Sequence, residues 1–202
     1  MRAASLGILA ILCLATPAGA HSPVPGIEGF YLGLLHPVST PAQALLMLGL
    51  GLLTGGLAKK SARWLLIAFF VATGAGLLWT GGVLPDMAAF AVATLASTLA
   101  ALAAGRFFPA VVACIVLGGL VVGAMSVPED GLFRDRLITM AGSFIGANLL
   151  LLYISGLVII VKERVSRPWT PIALRVAAAW VAAISAMMLA IYFAPTPSVA
   201  SL

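Results

Sequence analysis

Six long apolar runs, separated by short polar loops, occupy most of the chain from residue 41 onward. A membrane-spanning helix needs about 20 mostly apolar residues, with a usual range of about 17 to 25. The runs cover residues 41–57, 64–80, 86–104, 107–127, 137–161 and 171–194. They lack the period-two alternation of a membrane barrel, and backbone groups in lipid must pair within their own segment. The sequence therefore predicts an all-α membrane protein with a bundle of six transmembrane helices.

The composition supports this class. Of the 202 residues, 62% are hydrophobic and 8% are charged, whereas average soluble chains have roughly 25% charged residues. The net charge of +5 does not indicate nucleic acid, because the Lys and Arg residues fall in short clusters between the apolar runs. We therefore expect a lipid bilayer as the main partner.

The first 20 residues have the parts of a secretory signal peptide. Arg2 is a short basic region, residues 6–14 are an apolar core too short to span a bilayer comfortably, and Ala18-Gly19-Ala20 is a small-x-small cleavage pattern. Cleavage there would make His21 the first residue of the mature chain; an uncleaved first helix is the alternative. We expect a signal peptide over 1–20, a periplasmic or interfacial segment over 21–40 and a transmembrane domain over 41–202.

The basic residues fall on one side of the predicted bundle. If the mature chain starts outside, the loops after the first, third and fifth runs face the cytoplasm, and they carry Lys59, Lys60, Arg63, Arg106, Lys162, Arg164 and Arg167. The outer segments carry only Arg134 and Arg136. Arg175, one turn inside the last run, is expected to snorkel to the interface. Because cytoplasmic loops are enriched in Lys and Arg, we expect a bacterial inner-membrane protein with periplasmic N- and C-termini.

Pairs of glycines spaced four residues apart recur in the runs: Gly51 with Gly55, Gly119 with Gly123, and Gly142 with Gly146. Each pair lies on one helix face, and small residues allow the close backbone approach that holds helices together in lipid. The pairs predict a tight bundle, and they leave room for a homo-oligomer or a membrane-complex partner.

Both histidines lie in the segment before the first apolar run. Residues 27–35 are apolar but too short to span, so we expect a short re-entrant or interfacial helix there. Pro37 prevents a regular helix from continuing without a kink, and Pro41 suits the first position of the next helix. His36 should therefore stand at a break in the helix, near the membrane interface.

This segment offers metal ligands. The free amine and imidazole of His21 can chelate one ion together, while His36 can add a nitrogen and Glu28 an oxygen. Copper(II) and nickel(II) suit such a nitrogen set. The alternative is that two histidines at a membrane edge are simply polar residues near water.

A family motif resembles the window around His36. Gly29-Phe30-Tyr31-Leu32-Gly33 precedes the pair His36-Pro37, and the first full apolar run follows. This order resembles the HupE/UreJ family, whose pattern is His-Pro-x-x-Gly-x-Asp-His-x-Leu. His36, Pro37 and Leu45 match the pattern, whereas Thr40, Ala42 and Gln43 replace its glycine, aspartate and second histidine. The chain is thus identified as a divergent member, and Gln43 would supply a carbonyl oxygen in place of an imidazole.

The resemblance implies a function. Family members are membrane proteins associated with hydrogenase and urease, and they are regarded as nickel or cobalt permeases. We therefore expect capture or transport of a divalent transition metal (nickel, cobalt or copper) from the periplasmic side. The alternative is a non-transporting accessory or assembly protein for a metalloenzyme or membrane complex. We expect no enzyme activity, because no base in the runs is available to activate a nucleophile such as Ser143.

Overall fold

The computed structural model describes residues 27–78, 86–103, 105, 107–128, 131–165 and 167–194. This part of the chain contains no strand and forms seven helices: α1 (Ile27–Ser39), α2 (Pro41–Gly56), α3 (Lys59–Gly76), α4 (Asp86–Ala103), α5 (Phe108–Met125), α6 (Phe133–Arg164) and α7 (Thr170–Phe193). The all-α prediction is confirmed, and α2 to α7 coincide with the six apolar runs. The predicted signal peptide, its cleavage position and His21 lie outside the described residues.

Three helices, α5, α6 and α7, are each long and apolar enough to cross a membrane alone. The helices α1 and α2 pass the same criterion as a pair, although they are bent by 68° at a short break. Of the remaining two, α4 is a shorter apolar helix, and α3 begins with Lys59, Lys60 and Arg63. These apolar helices indicate a multi-pass membrane protein with three or four spans by this criterion, and six spans stays a prediction.

The central helix of the bundle is α2, which contacts each of the other six helices described. Ten of its 16 residues are buried, and the side chains of Leu46, Met47, Leu50 and Leu53 have no exposed surface. In α7, by contrast, only Thr170, Ala178 and Ser185 are buried. The large apolar side chains that α7 leaves exposed are suited to lipid.

The predicted glycine pairs lie at helix contacts. Gly51 and Gly55 of α2 lie against Ile154 and Val158 of α6. Gly119 and Gly123 face α3 in the same way, and Gly142 and Gly146 face α1. The predicted close packing is therefore confirmed. Residue numbers rise together along the two helices, from Gly51 with Ile154 to Gly55 with Val158. Helices α2 and α6 therefore run in the same direction.

The short helix α1 follows the first part of α6, also in the same direction. Gly29 lies beside Thr139, Gly33 lies beside Thr139 and Ser143, and Leu34 lies beside Gly146. The contacts of α2 put Gln43 back at the level of Gly146, where Leu34 of α1 also lies, so the chain steps back along α6 at the break. The bent pair therefore fits either a broken membrane span or the re-entrant segment expected from the sequence.

The break between α1 and α2 falls at Thr40, so the expectation of a break at Pro37 is wrong. Helix α1 continues through Pro37 to Ser39, although the proline lacks the N–H that would bond to the carbonyl four residues earlier. Thr40 has φ −93° and ψ 113°, extended values favoured in a residue that precedes proline. Pro41 thus sets the break and is the first residue of α2, as predicted. His36 lies one turn before it.

The two ends of the bundle differ in charge. One end, called here the Lys162 end, carries Lys59, Lys60, Arg63, Lys162, Arg164, Arg167 and Arg175. The opposite end, the His36 end, carries Arg134 and Arg136 as its described Lys or Arg residues. Exposed Trp64 and Trp169 lie toward the first end, and exposed Tyr31 and Tyr192 lie toward the second. Such aromatic residues are typical of membrane interfaces.

Candidate functional site

His36 connects the ends of two helices. It is half-buried in the last turn of α1, with Nε2 3.4 Å from the carbonyl oxygen of Met125 at the end of α5. Because a carbonyl can only accept, this contact assigns the proton to Nε2, and the Thr40 hydroxyl then donates to Nδ1 at 3.5 Å. Both distances exceed the usual 2.7–3.2 Å of a good hydrogen bond. The imidazole is therefore held loosely.

A cavity of about 190 Å³ opens beside this histidine. Its lining residues are Leu32, His36, Met125, Ser126, Val127, Pro128, Thr139 and Ser143. The Ser126 hydroxyl donates to the Val122 carbonyl at 2.7 Å, and the Thr139 hydroxyl donates to the Asp135 carbonyl at 3.1 Å. The hydroxyl of Ser143 is buried and has no partner among the described residues. Among the hydroxyls of the wall, that of Ser143 is therefore the one with no hydrogen bond to described residues.

Gln43 lies in the first turn of α2, a few residues after the break. Its side chain is fully buried, and neither its amide nitrogen nor its carbonyl oxygen meets a hydrogen-bond partner among the described residues. The spacing that pairs Gly51 with Ile154 places Gln43 at the level of Gly146 on α6. That level is one turn from Ser143. Gln43 does not line the cavity itself.

Two further hydroxyls continue along α2 toward the Lys162 end. Ser97 of α4 is buried beside Gly49, and Thr54 is buried near the end of α2. Neither hydroxyl has a partner in the described part of the chain. A buried polar group without a partner costs about 1–3 kcal/mol, and such groups commonly bind internal water. We call Ser143, Gln43, Ser97 and Thr54 the polar series.

The sequence does not show which polar side chains of the apolar runs belong to the polar series. Thr73, Thr94, Ser126 and Ser155 each donate to the carbonyl four residues earlier in their own helix. Whether a hydroxyl makes that local bond depends on its rotamer and its packed neighbours. No pattern of residue types in the sequence distinguishes the two groups.

Of the four predicted ligands, the structure describes the side chains of His36 and Gln43. His36 lines the cavity, Gln43 is buried and is not part of the lining, and His21 lies outside the described part. Glu28 is in the first turn of α1, eight residues before His36, or about 12 Å along the helix axis. No three His, Cys, Asp or Glu side chains of the described residues come close enough to hold a metal ion. In these residues His36 is the single strong ligand at the cavity.

The structure does change one expectation about Ser143. The sequence places no base near this hydroxyl, yet His36 lines the same cavity. The two side chains make no hydrogen bond, and both imidazole nitrogens contact other groups. The arrangement therefore lacks the base-to-nucleophile contact of a serine hydrolase.

Comparison of the chain with protein-family models, with curated proteins and with solved structures gave no match.

Proposed function

We propose that the protein is a HupE/UreJ-like membrane protein that takes up a divalent transition metal (nickel, cobalt or copper) from the side of the membrane on which His36 lies. The observation that carries this proposal is the polar series, which begins at Ser143 in the wall of the His36 cavity. Six described side chains have a buried polar atom without a described partner, and the four of the series extend from Ser143 toward the opposite end of the bundle; the other two are Arg136 and Ser185. Such groups are rare in native proteins, and a path for water or a hydrated ion would account for them.

The chemistry of the cavity suits a passing ion better than a resident one. His36 supplies one imidazole nitrogen, a ligand that nickel, cobalt and copper accept. Hydroxyl and amide oxygens beyond it are weak, neutral donors, which can replace part of a hydration shell. A transported ion must bind well enough to enter and weakly enough to leave. One strong ligand followed by weak ones meets that requirement.

The break between α1 and α2 supports the same proposal. Discontinuous helices commonly form the substrate sites of transporters, because their free backbone groups face a cavity in the protein. The break at Thr40 lies between His36 and Gln43. Counting α1 with α2 as one span and adding α3 to α7 makes six spans, and the basic Lys162 end then faces the cytoplasm. The His36 cavity would face the periplasm.

Uptake by purified full-length protein in liposomes tests this proposal. We expect Ni²⁺, Co²⁺ or Cu²⁺ to enter faster than in empty liposomes, and we expect His36→Ala and Gln43→Leu to reduce uptake by on the order of tenfold, equivalent to about 1.4 kcal/mol. Asn148→Leu is the matched control, because the Asn148 amide donates to the Phe144 carbonyl of its own helix at 2.8 Å. Uptake equal to that of empty liposomes for all three metals would contradict transport.

His21 allows a second measurement on the same system. If the chain is cleaved after Ala20, the new amine and the imidazole of His21 become two further nitrogen ligands for an ion. N-terminal sequencing of the mature protein shows whether His21 is terminal. If His21 and His36 bind one ion, His21→Ala has no further effect in a His36→Ala background. Independent losses would mean that the two residues act separately.

A non-transporting accessory role is the second candidate. The observation that favours it is the shortage of strong ligands, since His36 stands alone at its cavity among the described residues. An accessory protein would bind a metalloenzyme or a membrane complex, and it would not need a path for an ion through the bundle. Affinity capture in mild detergent, followed by mass spectrometry, would then recover a metalloenzyme or membrane complex in fixed proportion, and purified protein alone would not move metal.

A further inference from the structure

A second cavity lies at the Lys162 end of the bundle. Its volume is about 180 Å³, and residues of α2, α4, α6 and α7 line it. Two cationic side chains, Lys162 of α6 and Arg175 of α7, are part of the lining. The proposed function does not use this cavity, and no acidic residue lines it.

The charge of Lys162 is fixed beside the cavity. Its Nζ donates to the carbonyl oxygens of Gly55, Gly56 and Leu57 at 3.2, 2.6 and 3.1 Å. An ammonium group has three N–H donors, so these carbonyls use all of them. Lys162 can attract an anion in the cavity through its charge, but direct hydrogen bonds must come from another group.

Arg175 can make those bonds. Its side chain is exposed, and the ion pair found among the described residues joins Lys59 and Glu163 at 2.8 Å and does not include Arg175. A guanidinium has five donors in a planar fork that matches the oxygens of a phosphate group. Snorkelling explains why Arg175 can lie one turn inside α7, but it does not explain why two cations share one cavity.

The remaining wall suits the rest of a lipid molecule. Leu52, Val158 and Leu174 supply apolar surface next to the two cations. The first turn of α7 also borders the cavity at Pro171, and the positive end of that helix adds to the potential created by the side chains. Basic pockets between transmembrane helices are known to bind the headgroups of anionic lipids.

We propose that this cavity binds the phosphate group of an anion, with Arg175 as the direct ligand and Lys162 as a fixed neighbouring charge. An anionic phospholipid of the adjoining leaflet and free inorganic phosphate share this chemistry. The proposal is independent of metal uptake, because neither residue belongs to the polar series.

Binding to the purified full-length protein tests the proposal. Native mass spectrometry would measure the affinity for phosphatidylglycerol and for zwitterionic phosphatidylcholine, and inorganic phosphate would be added as a competitor. We expect Arg175→Gln to weaken phosphatidylglycerol binding about tenfold, as loss of a bidentate charged contact predicts. Arg167→Gln is the matched control, because Arg167 is exposed at the same end but does not line the cavity.

The outcomes separate the two sources. Preference for phosphatidylglycerol that disappears in Arg175→Gln and persists in Arg167→Gln supports a lipid site. Binding of inorganic phosphate that depends on Arg175, without preference between the lipids, supports a site for free phosphate. Equal effects of the two variants, or no binding of either anion, would overturn the proposal. If Arg175→Gln fails to fold, Arg175→Lys replaces it in the test. This variant keeps the positive charge but loses the planar set of guanidinium donors, so we expect an affinity for phosphatidylglycerol between those of the wild type and a variant without the charge.

Discussion

The two ends of the bundle are held by opposite kinds of contact. At the Lys162 end, one ammonium group makes three hydrogen bonds of 2.6–3.2 Å to the last carbonyls of α2 and the residue after it. At the His36 end, one imidazole makes two contacts of 3.4 and 3.5 Å. The first set satisfies carbonyls that a helix end leaves free. The second set is weak, and the Ser143 hydroxyl in the wall of the same cavity has no partner among the described residues.

This difference indicates which end of the bundle can change its conformation more easily. A charged donor shared by three carbonyls fixes α2 against α6, whereas weak contacts at His36 can be exchanged for water or an ion at small cost. The α1–α2 break also lies at the His36 end. If the protein takes up an ion as proposed, the rearrangement that admits the ion should therefore occur at α1 and the start of α2 rather than at the Lys162 end.

The largest change in unfolding free energy should come from adding a side chain at the close contact between α1 and α6. In Gly146→Ala the new Cβ would meet the backbone of Leu34, which cannot move aside, so we expect a loss of about 2 to 3 kcal/mol in unfolding free energy. Gly156→Ala on the same helix is the control, because nothing lies within 4 Å of its added Cβ; it should gain about 0.5–1 kcal/mol. Denaturation in detergent micelles measures both, and equal values would show that α1 is not packed there.

Removing the Lys162 ammonium should have the next largest effect. Lys162→Met keeps most of the side chain but leaves three carbonyls unpaired, and we expect a loss of about 2 kcal/mol. Lys60→Met removes an exposed charge with no described hydrogen bond and should change the unfolding free energy by less than about 0.5 kcal/mol. A loss for Lys162→Met as small as that for Lys60→Met would remove the contrast between the two ends.

A gain in stability is expected from Gln43→Leu. The change removes a buried amide without described partners, so the unfolding free energy should rise by about 1 kcal/mol, while uptake falls. Opposite effects on stability and activity are typical of functional groups held in an unfavourable setting. Asn148→Leu should not show the same combination, because that amide is bonded within its helix. Destabilisation by Gln43→Leu would mean that the amide has a structural partner.

The smallest effect on stability should come from His36. Because its contacts are long, we expect His36→Gln to change the unfolding free energy by about 0.5 kcal/mol. Thr40→Val, which removes the hydroxyl with little change in shape, should have a similarly small effect. A loss above about 2 kcal/mol in either variant would show that the His36 end is held as firmly as the other end.

Much of the fold could be predicted because it depends on local properties of the chain. The apolar stretches predict α2 to α7, Pro41 predicts the start of α2, and the glycine pairs predict helix contacts, all of which the structure contains. The sequence does not predict the position of the break, because both Pro37 and Pro41 disfavour a continuous helix and only the packed structure shows that the helix ends before Pro41. Of the site, the sequence identified His36 as a candidate but indicated neither its contact with Met125 nor the cavity shared with Ser143.

The amino-acid sequence by itself determined that the chain forms apolar helices and that its basic residues gather at one end, because both properties follow from the order of side chains along each segment. Only the tertiary structure decided which helix faces meet. That choice encloses Gln43 and Thr54 without partners in the described part of the chain, brings the Lys162 ammonium to the end of α2, and makes Arg175 line the same cavity as Lys162. These outcomes depend on contacts between residues about 100 positions or more apart or on different helices, and no local pattern encodes them.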